Sequence, residues 1–383
     1  MSGPIVQLGD VADFINGCAF KPSDWAETGL PIVRIQNLTG NGNAFNRTNI
    51  DVPDKHRVVS GDLLVSWSAS LGVFRWTGPE AAVNQHIFKV VPDLRKVDLE
   101  YLRHALDASI HEMERFTHGS TMKHINRKEF LEHKIPLPPL EEQRRIAAIL
   151  DKADALRRKR KRALELLDTL TQSIFVETFA SADSAAWPLC SVESLATNIR
   201  TGPFGSQLLH SEFVQEGIAV LGIDNAVANK FRWGERRYIT PRKYEELRRY
   251  TVLPGDVLIT IMGTCGRCAV VPEDIPPAIN TKHLCCITLD RDKCLPEVLQ
   301  SALLRHPSIL KQLGVQAKGA VMPGLNMGII KSLAFPLPPL KIQEAYVRTT
   351  QELFQQINMA ERALSQGDAL FTSLQHRAFS GQL

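Results

Sequence analysis

Residues 141–180 contain no glycine and no proline, and apolar or small side chains recur through them at Ile146, Ile149, Ala153, Leu156, Ala163, Leu167, Leu170 and Ile174. Steps of three and four predict one long helix with a heptad seam, interrupted by Arg160. At 1.5 Å per residue such a helix reaches about 60 Å. A weaker seam follows at Tyr346, Thr349, Leu353, Gln356, Ala360, Ala363, Gly367, Leu370 and Leu374, with small residues that permit close approach. Elsewhere the apolar runs are short and bounded by turn residues, which predicts strands at 30–36, 61–68 and 84–91, and again at 218–223, 256–262 and 283–289. Short helices are expected over 99–114 and 296–312.

The second half repeats the first. Pro136-Leu137-Pro138-Pro139-Leu140 returns as Pro336-Leu337-Pro338-Pro339-Leu340, and Gly119, Met122, Asn126 and Gln143 match Gly319, Met322, Asn326 and Gln343 at the same offset of two hundred. Further on, Asp168, Leu170, Ser173 and Phe179 match Asp368, Leu370, Ser373 and Phe379. With small gaps, Gly61-Asp62-Leu63-Leu64 aligns with Gly255-Asp256-Val257-Leu258, and Asn84-Gln85-His86 with Asn280-Thr281-Lys282-His283. A period near two hundred residues is a domain duplication, not a solenoid. The expected organisation is a first head at 1–135, a helical spacer at 136–180, a second head at 181–335 and a second spacer at 336–383. The heads are expected to be mixed α+β. The two spacers are expected to pair as antiparallel coiled-coil helices about a pseudo-twofold axis, burying their seams on one another. Proline disfavours helix in the residue before it and stiffens an extended lead-in, so each proline box is expected to fix a head on its helix.

Composition adds bounds. The chain has 383 residues, 44% of them apolar, enough for two ordinary cores. There is no apolar run long enough to span a membrane and no signal-peptide pattern at the start, so a cytoplasmic protein is expected. Seven cysteines without framework spacing fit reduced thiols, and a net charge of +4 permits a nucleic-acid partner without demanding one.

The sequence has no phosphate-cradling loop, no dinucleotide fingerprint at Gly40-Asn41-Gly42, and no Asn/Asp-Pro-Pro-Tyr segment of amino-methyltransferases. Cys265-Gly266-Arg267-Cys268, with Cys285, Cys286, Cys294 and His283, resembles part of a zinc ribbon. It lacks a second Cys-x-x-Cys, and the first head carries Leu71-Gly72-Val73-Phe74 at the matching loop, so these cysteines read as core thiols and no metal is expected. Basic and amide residues carry more information. In the first head Arg34, Gln36, Asn37, Lys55 and Arg57 are candidates for DNA, since Arg, Gln and Asn make paired contacts to purine edges and lysines neutralise phosphate. Thr121, Lys123, His124 and Arg127 crowd a turn before the proline box, a candidate phosphate clamp; a turn that merely positions the next helix is the alternative, above all for Met122 and Asn126. In the second head Arg232, Arg236, Arg237, Lys243, Lys282 and Lys318 are the candidates. The run Arg157-Arg158-Lys159-Arg160-Lys161-Arg162 is expected to face water, the alternative being an acidic partner or passing DNA.

In this duplicated order, the proline boxes, Gln143 and Gln343, the long helices, the Gly-Asp-x-Leu strands and Asn84-Gln85-His86 resemble the specificity subunits of type I restriction-modification systems. The resemblance implies two target-recognition domains that each read half of a split DNA sequence, with the helices as a ruler. It implies a chain without catalytic activity, partnered by two modification (methyltransferase) subunits and by restriction (endonuclease/translocase) subunits. S-adenosylmethionine, ATP and Mg belong to those partners and no cofactor to this chain. Recognition surfaces about 34 Å apart would meet successive major grooves. A protein-binding hub with a dimerising coiled coil is the alternative reading.

Overall fold

The computed structural model describes residues 3–40, 44–116, 125–179, 186–313 and 325–383, the side chains of residues 115 and 116 excepted. The chain divides into two compact units, Met1–Arg162 with Glu361–Leu383, and Ala163–Ala360. Both long helices form, at Leu140–Phe179 and Leu340–Phe379, and each unit takes one part of each helix. Among the described residues no helix is long and apolar enough to cross a membrane.

Among the described residues the first head has ten strands: β1 (Ile5–Gln7), β2 (Ala12–Asn16), β3 (Leu30–Val33), β4 (Arg47–Thr48), β5 (Arg57–Val58), β6 (Leu63–Ser66), β7 (Gly72–Arg75), β8 (Ala81–Val83), β9 (Ile87–Pro92) and β10 (Lys134–Pro136). They form an antiparallel sheet ordered β2-β9-β6-β7, a mixed sheet ordered β4-β3-β8-β5 in which β3 and β8 run parallel, and the ribbon β1-β10. The second head repeats this strand for strand: β11 (Leu189–Ser191), β12 (Ala196–Thr201), β13 (Ile218–Leu221), β14 (Tyr238–Ile239), β15 (Thr251–Val252), β16 (Val257–Thr260), β17 (Cys268–Val270), β18 (Ala278–Asn280), β19 (Leu284–Leu289) and β20 (Ala334–Pro336). Its sheets are ordered β12-β19-β16-β17 and β14-β13-β18-β15, with β13 and β18 parallel and β11-β20 as the ribbon.

Burial explains the order. Every residue of β6 and of β16 is buried, because each lies centrally between two layers. Leu63 and Val65 face the helix Leu99–Phe116 through Tyr101, Leu102 and Ala105, while Leu64 meets Val33, Val58 and Val83 of the other sheet. In the second head Val257 and Ile259 pack with Val298, Leu299 and Ala302, and Leu258 with Leu221, Val252 and Ala278. Each head is thus a helix layer, an antiparallel sheet and a small mixed sheet. In the second head Cys268, Cys285, Cys286 and Cys294 are buried, and Cys265 is half-buried. Cys268 stands at the register position of Val73, and Cys268 and Cys285 lie in the core, with the pKa of the Cys285 thiol pushed up to about 12 by burial. Among the described residues no group of His, Cys, Asp and Glu is arranged to hold a metal ion.

The ribbons join heads to helices. Ile5 pairs with Pro136, and Leu137 N donates to Pro4 O at 2.8 Å; Leu189 pairs with Pro336, and Leu337 N donates to Pro188 O at 3.0 Å. Asn126 and Asn326 cap the short helices Arg127–Glu132 and Met327–Ser332 just ahead of them, accepting from Lys128 N and Ile329 N. The turn shared by both copies therefore positions a helix at Asn126, while Met122 lies outside the described residues.

The buried stripe of the long helices differs from the expected seam. On the second helix it follows Tyr346, Leu353, Gly367 and Leu374 as expected, but the alternate positions are Thr350, Phe371 and Ala378, leaving Leu370 exposed. On the first, Ile146, Ala147, Leu150 and Phe175 are buried, Ile149, Ala153, Arg157, Leu167 and Ile174 half-buried, and Leu156, Ala163 and Leu170 exposed. Arginine enters the stripe because it finds partners. Arg157 Nε donates to Asp368 Oδ1 at 2.7 Å and its guanidinium lies 4.5 Å from the Phe371 ring centroid, while Arg160 Nη1 donates to Ala363 O at 2.6 Å. Gly367 leaves room for it, since an added Cβ there would stand 2.9 Å from Arg160 Nη1. With Arg145 reaching Leu383 O, these contacts make the two helices antiparallel in the first unit. The basic run therefore divides: Arg157 and Arg160 turn inward, and Arg158, Lys159, Lys161 and Arg162 are exposed.

Candidate nucleic-acid interface

Parallel strands side by side put their carboxyl ends at one edge, where the loops that leave them form a crevice. In the first head Val33 O accepts from Asn84 N at 3.0 Å, so the loops after β3 and β8 start side by side. The chain leaving β2 joins them: Cys18 N donates to Val83 O and Gln85 N to Cys18 O, both at 2.8 Å. Glycine is required at this crossing, because a Cβ on Gly17 would lie 2.2 Å from Val83 O. The second head repeats the crossing, with Thr281 N donating to Leu221 O at 2.9 Å and a Cβ on Gly202 falling 2.1 Å from Asn280 O. The repeated Asn84-Gln85-His86 and Asn280-Thr281-Lys282-His283 segments are the loops at this edge.

Around the edge of the first head lie several of the residues expected to meet DNA. Arg34 directly follows β3, with its guanidinium 5.9 Å from the Trp25 ring, and Gln36 is exposed beside it. Asn37 uses its amide within the loop, accepting from Arg34 N at 3.0 Å and donating to Ala44 O at 3.1 Å. Next to the end of β2 is an open pocket of about 360 Å³, lined by residues 13–16 with Lys55, His56 and Arg127. Arg127 donates to Phe14 O at 3.1 Å, and His56 Nδ1 is 2.7 Å from Asn16 O. Asn16 Oδ1 is buried without a hydrogen-bond partner. Arg57, by contrast, is engaged by Asp51, Asp54, Glu80 and the Val52 carbonyl. Thr121, Lys123 and His124 lie outside the described residues.

The second head brings Arg237 and Lys282 to its edge. Arg237 Nη2 donates to Asp224 Oδ1 at 2.6 Å, and burial, then the charges of Lys282 and Arg237, hold His283 below the ordinary histidine pKa. Arg236 stacks 4.9 Å from the Trp233 ring centroid and Arg232 is exposed on the same loop. Asn225 is the counterpart of Asn37: it accepts from Gly222 N at 2.8 Å and donates to Arg232 O at 2.9 Å. Lys243 pairs with Glu212 at 2.8 Å and Glu246 at 3.1 Å, away from this cluster of contacts; Lys318 lies outside the described residues. Asn16, Asp224 and His283 were not singled out as contacts from the sequence, because only the crossing of three separate loops brings them to the edge.

Cations, amides and rings at a repeated edge, in two heads of one topology, are the chemistry of a surface that reads a polyanion with bases. A family model described as the type I restriction modification DNA specificity domain matches residues 4–166 and 230–366. The chain belongs to that specificity family. Its relatives include the type I restriction enzyme EcoBI specificity subunit of Escherichia coli, 23% identical over 99% of this chain and 85% of that protein. Another is the MjaVIII specificity subunit of Methanocaldococcus jannaschii, 22% identical over 99% of this chain and 92% of its relative. The fold is similar to that of the type I restriction-modification S subunit from M. genitalium, with a TM-score of 0.61 and 16% identity over 98% of this chain and 96% of that one. It is also similar to a chain from a study of complex assembly and conformational transition of the type I system, with a TM-score of 0.57 and 16% identity over 100% and 98% of the two chains. Within this specificity-family chain, the matched segments take in most of the first head's edge and, in the second, Arg237 and the segment 280–283.

Proposed function

We propose that this chain is the DNA-reading, non-catalytic subunit of a type I restriction-modification complex and recognises a bipartite target, one half with each head. The observation that carries this reading is the repeated edge. Backbone crossings are the same in both heads, while the side chains offered there differ, as two readers of different half-sites require. Lysines and arginines such as Lys55, Arg127, Arg236 and Lys282 hold phosphates and set register; Arg34, Gln36 and Arg237 stand where base edges are reached. A few good bidentate contacts per head, at about 1–3 kcal/mol each, suffice for site selection. The long helices set the gap between half-sites. Methyl transfer from S-adenosylmethionine belongs to two modification subunits, and ATP- and Mg-dependent translocation and cleavage to restriction subunits; this family assignment and the relatives named above support that assembly.

Methylation mapping tests the reading. Cells lacking other adenine methylation, given this chain and its cognate modification subunit, are expected to show one methylated motif with two specified halves around an unspecified gap. Exchange of the first head for that of another family member should change one half only. A change in both halves, or a continuous motif, would reject the modular reading.

A further inference from the structure

The two heads differ at one pair of positions that the backbone makes equivalent. Ile32 N donates to Asn46 O at 2.8 Å in the first head, and Val220 N to Arg237 O at 2.8 Å in the second. Likewise Arg34 N donates to Asn37 Oδ1 and Gly222 N to Asn225 Oδ1, so Gln36, one residue earlier, corresponds to Asp224. The first head thus offers two amides, Gln36 and Asn46, where the second offers an ion pair, Asp224 and Arg237.

That ion pair is only half closed. Beyond the single 2.6 Å contact, Arg237 Nε and Asp224 Oδ2 are both buried without a hydrogen-bond partner. In the loop whose Thr281 N donates to Leu221 O, Asn280 Oδ1 and Thr281 Oγ1 are buried and unpartnered as well. The side chains of Arg237 and Asp224 remain 32% and 34% exposed, although Nε and Oδ2 themselves are buried. Two glycine backbones lie close against the pair: a Cβ on Gly222 would stand 2.8 Å from Arg237 Nη2, and one on Gly234 would stand 2.1 Å from Asp224 Oδ2. An arginine fixed at one corner by a carboxylate, with Nε buried, keeps its Nη1 and remaining Nη2 hydrogens in a set direction, which is what a bidentate contact to guanine O6 and N7 needs. Amides instead suit adenine N6 and N7.

We propose that these equivalent positions, 36 with 46 and 224 with 237, specify one base pair in each half-site, and that the second head reads guanine through Arg237 while the first reads adenine through its amides. This rests on the DNA-reading function above and deepens it.

The experiment is methylome sequencing with the full chain and its cognate modification subunit, comparing the parent with Arg237→Lys, Arg237→Ala and Gln36→Ala. In the parent, the half-site assigned by head exchange to the second head contains an invariant G·C pair. Arg237→Lys keeps the charge but loses the fork, and is expected to relax that pair alone, by roughly ten- to a hundredfold in preference, as Arg237→Ala does. Gln36→Ala should relax one A·T pair in the other half. A phosphate contact predicts the opposite for Arg237→Lys, an unchanged motif, and that outcome overturns the proposal. So does a parent half-site without a specified G·C pair, which needs no variant to fold. If the parent methylates no bipartite motif, the functional reading itself fails, and the two failures are distinct.

Discussion

Gln143, buried at the foot of the first long helix, uses both ends of its amide: Oε1 accepts from Asp98 N at 2.7 Å, and Nε2 donates to Lys96 O at 3.0 Å and Pro138 O at 2.7 Å. Gln343 does the same in the second unit, with Leu295 N, Lys293 O and Pro338 O at 2.9, 2.9 and 2.8 Å. Only a group that both accepts and donates can join these three backbone atoms. Gln143→Leu therefore strands a buried N–H and two carbonyls, and is expected to lower stability by about 2–3 kcal/mol in urea unfolding. Gln143→Glu should do no better, because an ionised carboxylate cannot donate to the two carbonyls. The spacing of these glutamines was readable in the sequence; the partners outside the proline box were not, since they lie on a loop 45 to 50 residues away. His306 is a second such residue. Its ring accepts from Ser308 N at 3.2 Å and is packed by Phe175, Phe179 and Phe335, and burial holds its pKa below the usual 6.5. The folded state thus binds this proton less readily than the unfolded chain, so the histidine's contribution is intact above 6.5 and is lost as pH falls from there through the lower folded-state value. His306→Asn, which keeps an accepting side chain at the cap without titrating, should flatten the fall in thermal midpoint between pH 7 and 5. An unchanged slope would assign the fall to other groups.

At the level of strands, the aspartate of the repeated Gly-Asp-x-Leu segment keeps a cation in both heads, but not from the same strand. In the first head Lys89 on β9 lies 3.4 Å from Asp62 and donates to Arg57 O. Register places Cys286 at the position of Lys89 and Arg200 on the neighbouring β12 at that of Ile15. Arg200 then supplies the charge across the sheet, reaching Asp256 at 2.7 Å and the carbonyl of Thr251, the counterpart of Arg57. Asp256 is fully buried and Arg200 nearly so, whereas Lys89 and Asp62 keep some exposure. Arg200→Leu leaves an uncompensated buried carboxylate and should cost about 3–5 kcal/mol; Lys89→Leu should cost less. Because the penalty comes from the stranded partner, Arg200→Leu with Asp256→Asn should lose less than the sum of the single changes in a double-mutant cycle. Additive losses would show that the two side chains are not coupled. No periodicity in the sequence announces this exchange, since each strand reads as an ordinary half-polar run and only the register makes the positions neighbours. The long helices pose the same problem in another form. Their length and heptad were plain, but adjacent apolar residues, Ile149 with Leu150 and Leu370 with Phe371, admit two stripes. Arg157 decides between them only through Asp368 and Phe371, which lie on the other helix.

Across the whole molecule, one topology is used twice with two different edges, and on the proposed function this would separate affinity from specificity. Strand order and loop crossings come from the buried strands, whose apolar runs were visible in the sequence; the residues at the edge come from loops of unequal length, twelve residues from Asn225 to Arg237 against nine from Asn37 to Asn46, so their equivalence appears only in the backbone. On the proposed function, exposed cations such as Lys55 would bear on affinity for any duplex, because each phosphate neutralised releases counterions and steepens the dependence on salt. Lys55→Ala in the assembled complex should weaken binding to matched and mismatched duplexes alike and make the slope of log K against log salt shallower by about one unit. The methylated motif should not change. Arg237→Lys should behave in the opposite way, altering the motif while leaving the salt slope nearly as it was. The two variants measured side by side, by fluorescence anisotropy at several salt concentrations and by methylome sequencing, therefore ask whether phosphate holding and base reading reside in different side chains. A Lys55→Ala complex with an altered motif, or one with an unchanged salt slope, would remove Lys55 from the phosphate-holding surface.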